Sequence, residues 1–198
     1  MTLEQAIAFF LFSVAAAGTP GPSNALLTAT GVNVGVRRGL PCLFGVTIGM
    51  GLMLFVVAFG LGSVILLDPA VLEAVKWSGA AVLGWLAWRI ATAGRPGATV
   101  SRPPVGFFGA AAFQWINPKS WLVCASAAAT FLEQGTNSAL AQALVFGLTF
   151  MLASLPSCFP WLAFGAVLHR VLRSERARRI FNGVMGALLA ASVLLIFW

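Results

Sequence analysis

The sequence predicts an all-α integral membrane protein, with six transmembrane helices arranged as two inverted three-helix repeats and the first and fourth helices broken. Three observations carry this expectation. Of the 198 residues, 60% are hydrophobic and only 9% charged, far from the balance of a water-soluble domain. Basic residues gather in alternate links between apolar stretches. Two proline breaks, Pro20-Gly21-Pro22-Ser23-Asn24 and Asn117-Pro118-Lys119-Ser120, interrupt apolar spans roughly half a chain apart.

The six spans fall at about 4–34, 39–67, 70–91, 105–132, 138–168 and 180–198. Each reaches about the 20 residues that cross a hydrocarbon core of about 30 Å. In span one, proline removes a backbone donor and clashes with the preceding turn, leaving polar groups that lipid cannot satisfy. Ala15-Ala16-Ala17 resembles a signal-peptide cleavage site, but Thr2-Leu3-Glu4-Gln5 before it carries no positive charge, so the segment is read as retained. Span two is glycine-rich, and Gly45, Gly49, Gly51, Gly60 and Gly62 are expected to permit close helix packing. Trp77 in span three, Trp161 in span five and Trp198 at the end of span six are read as interface anchors. Pro156 and Pro160 are expected to kink or hinge span five.

Charge gives the orientation. Arg37 and Arg38 follow span one, Arg89, Arg95 and Arg102 surround the link between spans three and four, and Arg170, Arg173, Arg176, Arg178 and Arg179 fill the link before span six. The opposite links hold Asp68, Glu73 and Glu133, with Glu4 at the start and Lys76 as their one basic residue. Positive charge marks the cytoplasm, so both termini are expected to face outward from a bacterial inner membrane. The same sorting accounts for the net charge of +7 and a pI near 11.1. A nucleic-acid partner is disfavoured, because basic residues in a short juxtamembrane link are ordinarily topology determinants.

Three spans in each half place the second half upside down relative to the first, so any internal similarity is an inverted repeat. The chain then reads as a single transmembrane domain over residues 1–198, with repeat one at about 1–95, repeat two at about 103–198, and the division near Pro103-Pro104. From Ala6 to Pro20 is about 14 residues, or ~21 Å of helix, and from Val105 to Asn117 about 12, or ~18 Å. Both breaks therefore fall near mid-membrane. Asn117 is a favoured N-cap and Pro118 suits the first helical position, so a half-helix is expected to start there. Gly21-Pro22 or Thr19-Pro20 is expected to start another.

Two helix N-termini at one depth offer partial positive charge and free N–H groups to a carboxylate. Lys119 adds a full charge, and an ionisable group at that depth is by default functional; the alternatives are snorkelling to an interface or satisfying a carbonyl of the broken helix. Pro20, Gly21, Pro22, Ser23, Asn24, Gln114, Asn117, Pro118 and Lys119 are therefore the candidate substrate-binding residues. Asn24, Ser23, Gln114 and Thr47 are candidates for a substrate amine or side chain. All five acidic residues lie in links or near span ends, which disfavours a cationic substrate and suits neutral or zwitterionic cargo.

On these residues the chain resembles the LysE/RhtB family of bacterial amino-acid exporters. The resemblance rests on Thr19-Pro20-Gly21-Pro22, Gly45-x-x-x-Gly49, Gly79-Ala80-Ala81 with Trp85-Leu86, and Asn117-Pro118-Lys119. Asp68-Pro69-Ala70 and the stretch from Trp77 to Thr92 are similar to the cysteine/O-acetylserine exporter subgroup. The resemblance implies a six-helix inner-membrane carrier that expels small amino acids or derivatives, driven by proton motive force. Two positions depart from the family pattern: Met50-Gly51 stands where many members carry an acid, and Val82 where many carry tyrosine.

The expected partners are a small-molecule amino-acid substrate and the lipid bilayer, with homo-oligomer formation open; no cofactor is expected. Cys42, Cys124 and Cys158 form no Cys-x-x-Cys pair, and the single His169 is too few ligands for a metal site. The cysteines are read as small buried hydrophobes. No enzyme signature or phosphate-binding glycine loop is present. The rival readings are a thiol-redox conduit using Cys42 and Cys124, a small-ion exporter of a related family, and a structural subunit assembled through Lys119.

Overall fold

The computed structural model describes residues 1–61, 69–92, 105–132, 138–171 and 175–194. All regular structure among them is helical. The helices are α1 (Leu3–Gly18), α2 (Pro22–Val56) running into a π-helical turn (Val57–Leu61), α3 (Pro69–Ala91), α4 (Phe107–Ile116), α5 (Pro118–Phe131), α6 (Ala139–Val171) and α7 (Glu175–Leu194). Asp68, Arg95, Arg102, Glu133, Arg173, Gly62 and Trp198, which entered the charge, packing and interface readings, lie outside the described residues.

Both expected breaks are present. α1 starts with a capping box, in which Thr2 and Gln5 exchange side-chain-to-backbone hydrogen bonds, and it stops at Gly18. Thr19 caps its C-terminal end, and the chain re-enters helix at Pro22 with Gly21 as N-cap. Of the two starts the sequence offered, Gly21-Pro22 is therefore the one used. α4 stops at Ile116 and α5 starts at Pro118, with Asn117 between them serving both ends.

α2 conceals a reversal at Gly35, whose φ of 74° favours a residue without Cβ. The Thr30 hydroxyl lies 3.7 Å from Cys42 Sγ, 12 residues on, where a continuous helix would separate them by ~18 Å. The link between the first two spans is thus a single residue. Arg37 and Arg38 begin the second arm and are not in a loop, because hydropathy marks where lipid begins and not where helix does. The same reason moves the start of the last helix from the expected 180 to Glu175, which brings Arg176, Arg178 and Arg179 into its first turns. Gly60 also departs from expectation. Its φ of 109° falls inside the π-helical turn and favours a residue without Cβ, while nothing stands within 4 Å of where a Cβ would be, so the backbone and not close packing calls for glycine there.

α2 packs most extensively on α6 and then on α4; α1 also lies on α6, and α3 pairs with α7. Small residues set these approaches. A Cβ on Gly31 would strike the Leu162 carbonyl oxygen of α6, and one on Gly165 would strike the Thr28 carbonyl oxygen of α2. The two backbones touch where both lack side chains. Gly45 and Gly49 meet α4 in the same way, and Gly51 meets α6, as expected of packing glycines. α6 runs unbroken through Pro156 and Pro160.

Two apolar clusters form the core. One gathers Leu26, Leu27, Leu43, Val46, Leu83, Phe113 and Leu162; the other gathers Phe9, Met53, Leu54, Trp121, Phe146 and Phe150, with the Phe9 and Phe146 rings 4.5 Å apart. Large apolar side chains such as Leu11, Leu52, Leu122, Leu148, Leu152 and Phe164 face outward, while Asn24, Gln114, Asn117, Ser120 and Ser154 are buried. A lipid solvent selects this distribution, with apolar groups outside and polar groups within. By length and composition, two stretches of the described residues suffice to cross a membrane: Pro22–Gly60, which contains the reversal, and Ala139–Leu168.

Candidate functional site

The two breaks meet. Asn117 Nδ2 donates to Ser23 Oγ at 3.0 Å, and Ser23 Oγ donates to Gln114 Oε1 at 2.9 Å. Ser120 Oγ donates to the same Gln114 oxygen at 3.1 Å, while Gln114 Nε2 donates to the Ala110 carbonyl at 3.0 Å. Asn117 Oδ1 accepts from the Lys119 amide at 3.2 Å, the N-cap bond expected of asparagine before Pro118. Ser23, Gln114, Asn117 and Ser120 thus satisfy one another across the two halves of the chain.

Lys119 is half-buried and points at the other break. Its ammonium donates to the Thr19 carbonyl at 2.6 Å and to the Pro20 carbonyl at 3.4 Å. Of the roles the sequence allowed, satisfying the carbonyls of a broken helix is the one observed. Other groups share the task. Asn24 Nδ2 donates to the carbonyls of Ala17 (2.9 Å) and Thr19 (2.8 Å), and Trp161 Nε1 donates to the Gly18 carbonyl at 3.2 Å. Trp161 is therefore a cap on the break, where the sequence suggested an interface anchor. Trp77 is largely exposed, as an anchor would be.

The two N-termini differ. The first amide of α5 is taken by Asn117, whereas the start of α2 has no side-chain cap. The N–H groups that open α2 are the less committed of the two sets.

Beside the breaks lies a cavity of about 390 Å³, counting its open mouth. Gly21, Ser23, Asn24, Gln114, Asn117 and Lys119 line it, so six of the nine expected site residues border one cavity. Pro20, Pro22 and Pro118 do not line it; they set the backbone that does. Thr47 is also absent from the wall, being buried with its hydroxyl on the Phe44 carbonyl. The lining also includes residues the sequence reading missed as site residues: Val46 and Met50 from α2, and Phe150, Ser154 and Cys158 from α6. The last three recur every four residues, the spacing of one helix face, and that was the available signal. Val46 and Cys158 belong to one apolar cluster and Met50 and Phe150 to the other, so the cavity lies where the clusters meet.

Met50, from the Met50-Gly51 pair that the resemblance set against an expected acid, lines the cavity with an apolar thioether. Cys42, Cys124 and Cys158 are all free and buried. Cys42 and Cys124 sit in different clusters, which gives the thiol-conduit reading no pair to use. Among the described residues, no group of three or more His, Cys, Asp or Glu is placed to hold a metal ion.

No solved structure matches the chain. Cysteine/O-acetylserine efflux proteins from Escherichia coli and from Shigella sonnei are each 30% identical to it over 202 residues, covering 100% of this chain and 100% of the relative. The family model for the LysE type translocator matches residues 14–196, which takes in both breaks, the reversal at Gly35 and every wall of the cavity, and the chain belongs to that family of translocators.

Proposed function

We propose that the protein is a secondary exporter of small neutral amino acids or their derivatives in a bacterial inner membrane, with cysteine and O-acetylserine as the first candidates. The observation that carries this reading is the meeting of the two broken helices beside a cavity whose lining, among the described residues, has one cation, Lys119, and no acid. A substrate carboxylate binds at the uncapped start of α2, around Gly21, Pro22, Ser23 and Asn24, with Lys119 as its counter-charge. Asn117, Pro118 and Gln114 hold the second break against it. The absence of an acid, with Met50 facing the cavity, disfavours a cationic side chain on the substrate.

In this reading the chain crosses the membrane six times as two inverted repeats, α1 and the first arm of α2 corresponding to α4 and α5. Both termini face the periplasm, and proton motive force drives export. The names of the full-length relatives support the substrate class, and the charge pattern supports the topology. The test is uptake of labelled neutral, basic and acidic amino acids into everted vesicles holding the overproduced protein, with and without a proton gradient. Accumulation of small neutral amino acids that collapses with the gradient is expected. Accumulation of lysine or arginine in preference to them overturns the reading.

A further inference from the structure

Asn24 Oδ1 is the one buried side-chain polar atom among the described residues that lacks a hydrogen-bond partner. Asn24 is 3% exposed and lines the cavity. Leaving a carbonyl oxygen buried and unpaired costs about 1–3 kcal/mol, so it calls for a physical explanation. Exchanging the amide's oxygen and nitrogen does not remove the problem. The other end of the amide faces the carbonyls of Ala17 and Thr19, which only accept, so the nitrogen must lie there and the oxygen must point away from them. Around the rest of the cavity the acceptors are already engaged: Gln114 Oε1 receives two hydroxyls, Ser23 Oγ receives Asn117, and Asn117 Oδ1 receives the Lys119 amide. Two hydroxyls differ: Ser120 Oγ donates to Gln114 Oε1 and Ser154 Oγ to the Met151 carbonyl at 3.2 Å, and each keeps its oxygen lone pairs. Of the two, Ser154 lines the cavity from α6, outside the network of Ser23, Gln114, Asn117 and Ser120.

We infer that Asn24 Oδ1, with Ser154 Oγ on the same cavity, is the acceptor site for the α-ammonium of the substrate, and that it makes the carrier selective for amino acids over carboxylic acids lacking the amine. The inference rests on the carboxylate reading above and adds the other end of the zwitterion. An ammonium brings three donors and no acceptor, the complement of an unpaired carbonyl oxygen and a hydroxyl whose hydrogen is committed elsewhere. A substrate without that amine leaves Asn24 Oδ1 unpaired, and sites built around a polar partner reject analogues that lack it far more strongly than they reject a change of methylene. Because Asn24 also holds the α1 end through Ala17 and Thr19, occupancy of its oxygen is felt at the break itself.

The experiment uses the whole protein in everted vesicles taking up labelled cysteine under reducing conditions, or labelled alanine where cysteine is not carried. The competitors are the unlabelled amino acid and its des-amino counterpart, 3-mercaptopropionate or propionate. In the wild type the des-amino acid is expected to compete at least ~30-fold more weakly. Ser154→Ala keeps the Asn24 bonds to α1 intact and is expected to narrow that ratio several-fold; Asn24→Ala, checked for a monodisperse elution profile, is expected to abolish it. Equal competition by both compounds in the wild type overturns the ammonium site while leaving the exporter reading in place. A ratio unchanged in both variants does the same. Failure of the wild type to accumulate any amino acid overturns both.

Discussion

Asn117 Nδ2 and Ser23 Oγ, 94 residues apart in sequence, share a hydrogen bond of 3.0 Å that ties the start of α5 to the start of α2. Each proline leaves backbone groups for partners elsewhere in the fold to satisfy, and this bond joins the two places where that happens. A double-mutant cycle measures the tie. Ser23→Ala and Asn117→Ala are each expected to lower stability by about 1–2 kcal/mol, Asn117 through its cap as well. The pair should show a coupling of at least about 0.5 kcal/mol in thermal or denaturant unfolding in detergent. Strict additivity would mean that the two breaks do not touch.

Lys119 has two jobs that substitution separates. Lys119→Gln keeps a donor for the Thr19 and Pro20 carbonyls but removes the charge, so transport is expected to fall more than ~10-fold with unfolding little changed. Lys119→Met removes both and should also lose about 1–3 kcal/mol of stability. Wild-type transport by the glutamine variant in liposomes would refute a counter-charge role.

Two glycines at close approaches should respond in opposite ways. A Cβ on Gly21 would come within 2.7 Å of Lys119 Cδ, the stem of a flexible side chain, so Gly21→Ala is expected to displace the lysine and depress transport while the protein stays folded. Gly165→Ala drives a Cβ into the Thr28 backbone, which cannot yield without parting α2 from α6. Its expected signature is a loss of about 1–3 kcal/mol or more in unfolding experiments. The reverse pattern would contradict the packing described.

Replacing Cys42, Cys124 and Cys158 together by alanine is expected to preserve export, at some cost in stability from the small voids left behind. Export abolished in a triple variant that still inserts and elutes normally would restore the thiol-conduit reading.

Topology has its own test. A reporter fused after Trp198 should be active when periplasmic and silent when cytoplasmic. A cytoplasmic signal would overturn the inverted arrangement.

The parts of this site that were legible in the sequence are those whose cause is local. Proline at 20, 22 and 118 and asparagine before a proline at 117 carry their backbone consequences in the residue itself, so both breaks could be placed without knowledge of the fold. The turn at Gly35 was blurred, because arginines at 37 and 38 look like a loop to hydropathy although they suit a helix well. For Phe150, Ser154 and Cys158 the four-residue spacing marks one helix face but not what that face meets. Which face of α6 meets the cavity depends on Gly31 and Gly165 drawing two backbones together, a relation between distant residues that no window along the chain contains. Gln114 lines the cavity, but its oxygen is engaged by the hydroxyls of Ser23 and Ser120, contacts that spacing along the chain does not reveal.

The capping of the first break also sets an order of events at the ribosome. Asn24 is close enough in sequence to serve Ala17 and Thr19 as soon as they emerge, but the Pro20 carbonyl waits 99 residues for Lys119 and the Gly18 carbonyl 143 residues for Trp161. At about 5–20 residues per second that delay is on the order of 5–30 s. For that interval the nascent first half carries polar backbone that hydrocarbon cannot solvate, and water or the insertion machinery must hold it. The second half of the chain then acts on the first as its intramolecular chaperone, and a fragment that ends before α5 would enter the bilayer without it.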